Sequence, residues 1–186
     1  MNARFALFGE VLITGVAVAS ASLGLVTALP AAIAGAGHLR RHIDGVGGGV
    51  GAVAADFRAA LRGLPAASVA VPVLTGLLTW NLTAGRQAGT GAVLACLIVA
   101  ALGAVAVVRL AGTWTPDAPP GSIDAVRTAV RHTVTDPAGS ALLAGALLGA
   151  AVIGWMLAPM ALITPGLVLL ASLGVDRRLY LGRPKV

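Results

Sequence analysis

Residues 87–108 read QAGTGAVLACLIVAALGAVAVV: 22 residues between Arg86 and Arg109 with no Asp, Glu, Lys or Arg among them. As a helix rising 1.5 Å per residue, such a run is about 33 Å long. The hydrocarbon core of a bilayer is roughly 30 Å thick. Working outward, Gly63–Gly85 is a second charge-free run of 23 residues, Val11–Gly37 a third of 27, and Pro137–Val175 a fourth of 39. The first three fit one spanning helix each. The fourth is too long for one and adequate for two short ones, with Ala158–Pro159 as the dividing turn, since Pro disfavours helix before it. The expected fold is therefore all-α: one membrane domain over residues 1–186, a polytopic bundle of about five transmembrane helices. Their expected bounds are 8–37, 64–84, 88–108, 138–158 and 160–175, with cytoplasmic loops at 38–63 and 109–137. For the short fifth helix a re-entrant segment is the alternative.

Composition agrees. The chain is 58% hydrophobic and 11% charged, with mean hydropathy +0.92. A soluble domain carries about 25% charged residues, and a chain of 186 residues cannot hide this much apolar surface from water. Lipid is the simpler solvent. Twelve of the thirteen basic residues are Arg, which with the Ala, Gly and Val richness points to a high-GC coding genome. The net charge of +6 does not point to nucleic acid: the basic residues flank apolar runs, and aromatics are only 4% of the chain, so no basic stripe interleaved with aromatics exists. Cys96, the single cysteine, lies inside an apolar run and reads as an inert buried thiol.

Arg40, Arg41, Arg58 and Arg62 follow the first expected helix; Arg109, Arg127 and Arg131 follow the third; Arg177, Arg178, Arg183 and Lys185 follow the fifth. With five spans these eleven share one side, against Arg4 and Arg86 on the other. Basic residues stay in the cytoplasm, so the expected topology in a bacterial plasma membrane is N-terminus outside and C-terminus inside. Trp80 and Trp155 then fall near the outer ends of their helices, where interfacial Trp is favoured. The stretch from Arg4 to Ala19-Ser20-Ala21 loosely imitates a signal peptide, but Glu10 interrupts it and apolar sequence continues beyond, so the first helix is expected to be retained.

Both long loops carry a short amphipathic pattern ahead of a proline and a spanning run. One is Asp56-Phe-Arg58-Ala-Ala-Leu61-Arg62 before Pro65. The other is Ser122 to Arg131 before Pro137, with Ser122 as N-cap, Asp124 in the first turn, and Ile123, Val126, Val130 and Val134 on one face. Both are expected on the inner membrane surface, with Arg40, Arg41, Arg58, Arg62, Arg127 and Arg131 among anionic lipid headgroups. The order helix, surface segment, helix occurs twice, a weak parallel repeat.

Chemistry is harder to find. His38 and His42 share a helix face at a spacing that can hold zinc, yet Arg40 and Arg41 stand between them, and a solvated basic helix end is the expectation. Gly45 to Gly51 is Gly-rich but lacks the Lys-Ser/Thr ending of a phosphate loop, so it reads as a connector. No residue set has the spacing of a catalytic site, and no cofactor, metal or enzyme activity is expected. Thr27-Ala-Leu-Pro30 and Thr164-Pro165 lie inside the first and fifth expected helices, about 12 and 16 Å from their cytoplasmic ends. Helix breaks at matched depth can mark a solute path; kinks that only serve packing are the alternative, and Pro72 fits that reading. Ala141, Gly145 and Gly149 recur every fourth residue, the spacing that lets helices approach closely, within or between chains.

Ser22-Leu-Gly-Leu-Val-Thr27-Ala-Leu-Pro30-Ala-Ala-Ile-Ala, then His38-Leu-Arg-Arg41, then Asp56-Phe-Arg58 resemble the YesL-like family of small bacterial integral membrane proteins. The resemblance covers Glu10 to Arg62, with hydropathy alone carrying the remainder. It implies no catalytic residues. It does imply a role accessory or regulatory to the uptake of a carbohydrate-like solute, with a transport system or self-association supplying the partner. The alternative is a small oligomeric transporter with its solute path near Pro30 and Pro165. A membrane enzyme ranks third.

Overall fold

The computed structural model describes residues 3–46, 48–84, 89–116, 122–156 and 162–181. In chain order these form α1 (Ala3–Ala21), a single 3-10 turn (Ser22–Gly24), α2 (Ala28–Ile43), α3 (Val50–Gly63), α4 (Pro65–Ala84), α5 (Thr90–Thr113), α6 (Ser122–Thr135), α7 (Pro137–Met156) and α8 (Thr164–Leu181). Every regular element among the described residues is helical. Four helical stretches there are long and apolar enough to cross a membrane: Leu7–Gly24, α4, α5 and α7. The architecture is an all-α bundle fit for a bilayer.

The single helix expected over 8–37 is two helices. Inside a continuous helix Pro30 could not bond Val26 O, and its ring would clash with that turn. The chain stops α1 instead and places Pro30 in the first turn of α2, where a missing N–H costs nothing. Ser22 Oγ donates to Val18 O at 2.6 Å, and Thr27 Oγ1 donates to Ala21 O. These bonds occupy carbonyls that the end of α1 leaves free. Leu25, at φ +53°, turns the backbone through the left-handed region, which non-glycine residues seldom adopt.

α1 and α2 then pack as antiparallel arms. A Cβ on Gly35 would meet Val18 at 2.6 Å and Thr14 at 3.1 Å, so the missing side chain sets the close approach. Further from the tip, His38 Nε2 stands 2.9 Å from Glu10 Oε2, and His42 Nδ1 stands 3.9 Å from Glu10 Oε1. The start of α1 and the end of α2 thus lie at one end of the molecule. α4 and α5 pack as a second hairpin, and at its base a Cβ on Gly63, the last residue of α3, would meet Trp114 at 3.1 Å. α7 and α8 form a third, in which Leu143 and Val175 share a buried cluster with Val105. The helices α3 and α6 join the hairpins.

All sixteen charged residues within the described segments, from Arg4 to Arg178, belong to the end where α1 starts and α2, α5 and α8 finish. The core lies toward this end: Leu29, Leu39, Leu64, Leu110 and Leu169 are each at most 4% exposed. Farther along, Leu74, Leu77, Leu97, Ile98 and Val152 are more than half exposed or close to it. Such a surface costs little in lipid, whose tails are as apolar as Leu.

The remaining boundaries shift for identifiable reasons. α5 passes Val108 and runs to Thr113, carrying Arg109 inside the helix and not in a loop. α7 is described to Met156. α8 begins at Thr164, so Pro165 occupies its first turn and is not a break within a helix. It continues past Val175 to Leu181, taking in Asp176, Arg177 and Arg178. The expected Ala158–Pro159 turn lies outside the described residues.

Candidate functional site

The polar end is built around Arg109, which is 1% exposed. α5 carries its guanidinium into the gap where α6 gives way to α7. There Nη2 donates to Asp136 Oδ2 at 2.9 Å and, at 3.3 Å, to Ser140 Oγ and Asp136 O. Asp136 precedes Pro137, and its Oδ1 accepts from Gly139 N at 3.0 Å. It is the N-cap of α7, with Pro at the first helical position. The Gly139 N–H, followed by the Arg109 guanidinium, holds the Asp136 carboxyl below the usual carboxylate range. Ser140 Oγ donates onward to Thr133 O at 2.7 Å, tying α6 to the same point. A Cβ on Gly139 would press on Asp136 Oδ2 and stand 2.7 Å from Arg109 Nη2. Buried charge demands such pairing, since an unpaired one costs several kcal/mol.

Beside this latch lies an open vestibule of about 300 Å³, with Arg40, Asp44, Gly112, Thr115, Asp176 and Arg177 in its wall. Arg40 donates to Gly112 O, fastening α2 to α5, and Arg177 pairs with Asp44, fastening α8 to the end of α2. Asp176 is oriented so that its Oδ2 is buried with no hydrogen-bond partner; Arg109 Nε and Nη1 are likewise buried and unpartnered.

A second cavity, about 500 Å³, opens toward the opposite end, where α1 and α7 join the same three helices in its wall. Ala28 and Ala32 of α2, Val108 of α5, and Thr164, Pro165 and Val168 of α8 belong to its wall. Between the two spaces Ala36 and Ser172 are fully buried. Ser172 Oγ donates to Val108 O at 3.2 Å, and a Cβ on Gly112 would collide with Ser172 Oγ. Of the residues expected along a solute path, Thr164 and Pro165 therefore line this cavity. Pro30 is packed in the core of α2 and Thr27 is bonded back to Ala21, with their neighbour Ala28 at the cavity wall. A third cavity, about 540 Å³, separates α3 from α1 and α2 beside Thr14, His38 and Phe57.

The basic residues expected at lipid headgroups divide. Arg58, Arg62, Arg127 and Arg131 are exposed. Arg40 and Arg41 are engaged within the protein, Arg41 donating to Asp56 Oδ2 at 2.6 Å. On α6, Val126 packs against the core, whereas Ile123, Val130 and Val134 are exposed beside Arg127 and Arg131. The four apolar residues do not act as one face. His38 and His42, expected to be solvated, share Glu10. Among the described residues no group of three or more His, Cys, Asp or Glu is arranged to hold a metal. Ala141, Gly145 and Gly149 face outward, and a Cβ on either glycine would meet nothing within 4 Å; the stripe makes no close contact inside the chain.

Asp136, Ser172 and Asp176 are not among the candidate residues of the sequence, and Arg109 and Glu10 figure there only as charges beside apolar runs. One local signal was present: Asp136-Pro137 is an N-cap followed by a first-turn proline. Compared with protein-family models, curated proteins and solved structures, the chain matches none of them.

Proposed function

We propose that this is a non-enzymatic, multi-pass protein of the bacterial plasma membrane that moves a small solute between α2, α5 and α8. The observation that carries this reading is a pair of cavities at opposite ends of α2, α5 and α8, the second also walled by α1 and α7, with a closed waist at Ala36, Gly112 and Ser172. A buried arginine with carboxylate partners at membrane depth or its edge is itself a mark of such paths. The polar end faces the cytoplasm, because ten basic residues within the described segments gather there. Three hairpins then bring the start of α1 and the end of α8 to that side. The accessory role in carbohydrate uptake draws on the family resemblance alone, and the cavities favour the transporting role.

The test uses cysteines in a Cys96→Ala background. Val168→Cys, in the cavity wall, should react with a small water-soluble thiol reagent at least tenfold faster than Val152→Cys, which faces outward. Equal rates mean a dry packing gap and end the reading.

A further inference from the structure

Ser172 and Asp176 stand one turn apart on the side of α8 that faces α5, and Gly112 makes room for both. A Cβ on Gly112 would collide with Ser172 Oγ and would stand 2.9 Å from Asp176 Oδ2. The single proton of Ser172 is already committed, because Oγ donates it to Val108 O. Ser172 Oγ therefore offers only lone pairs to the space that Asp176 Oδ2 shares with it. Asp176 Oδ2 is buried, and no donor reaches it. An ionised oxygen in that place has lost its water and gained nothing in return. A proton on Oδ2 removes that stranded charge, and a small side-chain rotation would let the new O–H donate to Ser172 Oγ across the space that Gly112 leaves open.

The charges around Asp176 are mostly committed. On α2, Arg40 bonds Gly112 O and Asp44 pairs with Arg177 of α8 itself. On α1, Glu10 is held by His38 and His42. His132 on α6 and Asp136 ahead of α7 also act on Asp176, but Arg109 acts on it most strongly. Arg109 uses only Nη2 for Asp136 and Ser140, leaving Nε and Nη1 buried and free. A cation would not settle here between two guanidinium groups, whereas a proton can.

We infer that Asp176 is a proton-binding site in the wall of the vestibule, and that loss of its proton draws the carboxylate onto Nε and Nη1 of Arg109 and narrows the vestibule. The O–H bond breaks, the electron pair stays on Oδ2, and the proton leaves into vestibule water. This deepens the solute-path reading by making the cytoplasmic mouth of the path proton-dependent.

The experiment is thermal melting of the purified full chain at pH 5 and pH 8.5, for wild type and Asp176→Asn. The folded protein holds a proton that the unfolded chain releases, so its stability falls as pH rises. Asn mimics the protonated acid and removes that fall. The variant should melt above wild type, by a margin that grows from pH 5 to about 3 °C at pH 8.5. Using the difference between the two proteins cancels the contributions of all other groups. A variant that melts lower at both pH values indicates an ionised, water-bridged Asp176; equal melting at both indicates no bound proton. Either result overturns the inference. If Asp176→Asn does not fold, Ser172→Ala decides. Loss of the acceptor should move the wild-type pH transition to lower pH, and an unmoved transition overturns the inference. Melting reads the proton alone and Val168→Cys labelling reads the path, so either can fail without the other.

Discussion

Arg109 reaches Asp136 at 2.9 Å across 27 residues of sequence, and the same Asp136 caps α7 through Gly139 N at 3.0 Å. One carboxylate thus serves a buried ion pair and a helix start, and substitution can separate the two. Asp136→Asn keeps a good N-cap and loses the charge; Asp136→Ala loses both. The Ala variant should be less stable than the Asn variant by about 1 kcal/mol. Arg109→Ala, which leaves the carboxylate without its buried partner, should cost about 3–5 kcal/mol. Urea unfolding in mild detergent measures all three. The pH dependence has a definite sign. The folded-state pKa of Asp136 is depressed, so its stabilisation is present above the ordinary carboxylate value near 3.9 and is lost as pH falls through the lower folded value. Equal stability of the Asn and Ala variants would remove the cap from this account.

The antiparallel arms of α1 and α2 decide which side the N-terminus occupies. Cysteine replacing Leu23, which is 86% exposed at the hairpin tip, should label with an impermeant reagent in intact cells that lack Cys96. Cysteine replacing Asp44 or Thr128 should label only after lysis, and an N-terminal epitope should likewise need lysis. An N-terminal epitope detected on intact cells would restore a single spanning first helix and refute the hairpin.

Local pattern reached the apolar runs. The helices expected over 88–108 and 138–158 correspond to α5 and α7, because length and lack of charge suffice to identify such runs. Val11–Gly37 misled for the same reason: 27 residues without charge can be one long helix or two short arms, and composition does not tell them apart. Pro30 was visible, but its position in a first turn and not an interior depends on where Ser22–Thr27 turns. Arg109 was assigned to a loop since a charge ordinarily ends a span. Its partner lies 27 residues away, as Glu10 lies 28 residues from His38, and no periodicity of 3.6 records such pairs. Beyond the apolar runs, local pattern also placed helices at α3 and α6. Which valine faced inward was not legible, since α6 is amphipathic against protein on one side and open on the other.

The exposed apolar side chains of α6, Ile123, Val130 and Val134, stand beside Arg127 and Arg131 on one helix face. That arrangement suits the headgroup region of an anionic membrane, where each basic residue contributes about 1 kcal/mol. Arg127→Glu with Arg131→Glu should raise the rate at which protease cuts this segment in inside-out vesicles. It should leave α5 and α7 intact. An unchanged rate would mean that the packing of Val126 and Ala129 against the core is enough to hold α6.

Glycines in this chain do two different jobs, and the structure says which does which. Gly166 of α8 lies on Val11 O, so close that a Cβ would collide with that carbonyl and stand 3.0 Å from Gly15 N. Gly15 is in the same position from the other side, with Ile163 O 2.6 Å from where its Cβ would be. Both obstructions are backbone and cannot rotate away. Gly166→Ala must therefore push α8 off α1, with a loss of about 1–3 kcal/mol by overpacking. Gly149 of α7 has the opposite surroundings, with nothing within 4 Å. Gly149→Ala should be neutral or add up to about 1 kcal/mol through helix propensity. Melting of the two single variants in detergent makes the comparison. A second copy of the chain docking through Ala141, Gly145 and Gly149 would betray itself here, because Gly149→Ala would then lower an oligomer's stability in a concentration-dependent way while leaving dilute protein unaffected. If Gly166→Ala melts with wild type, the close crossing of α1 and α8 is wrong, and so is the placement of Thr164 and Pro165 at the wall of the cavity that the crossing supports.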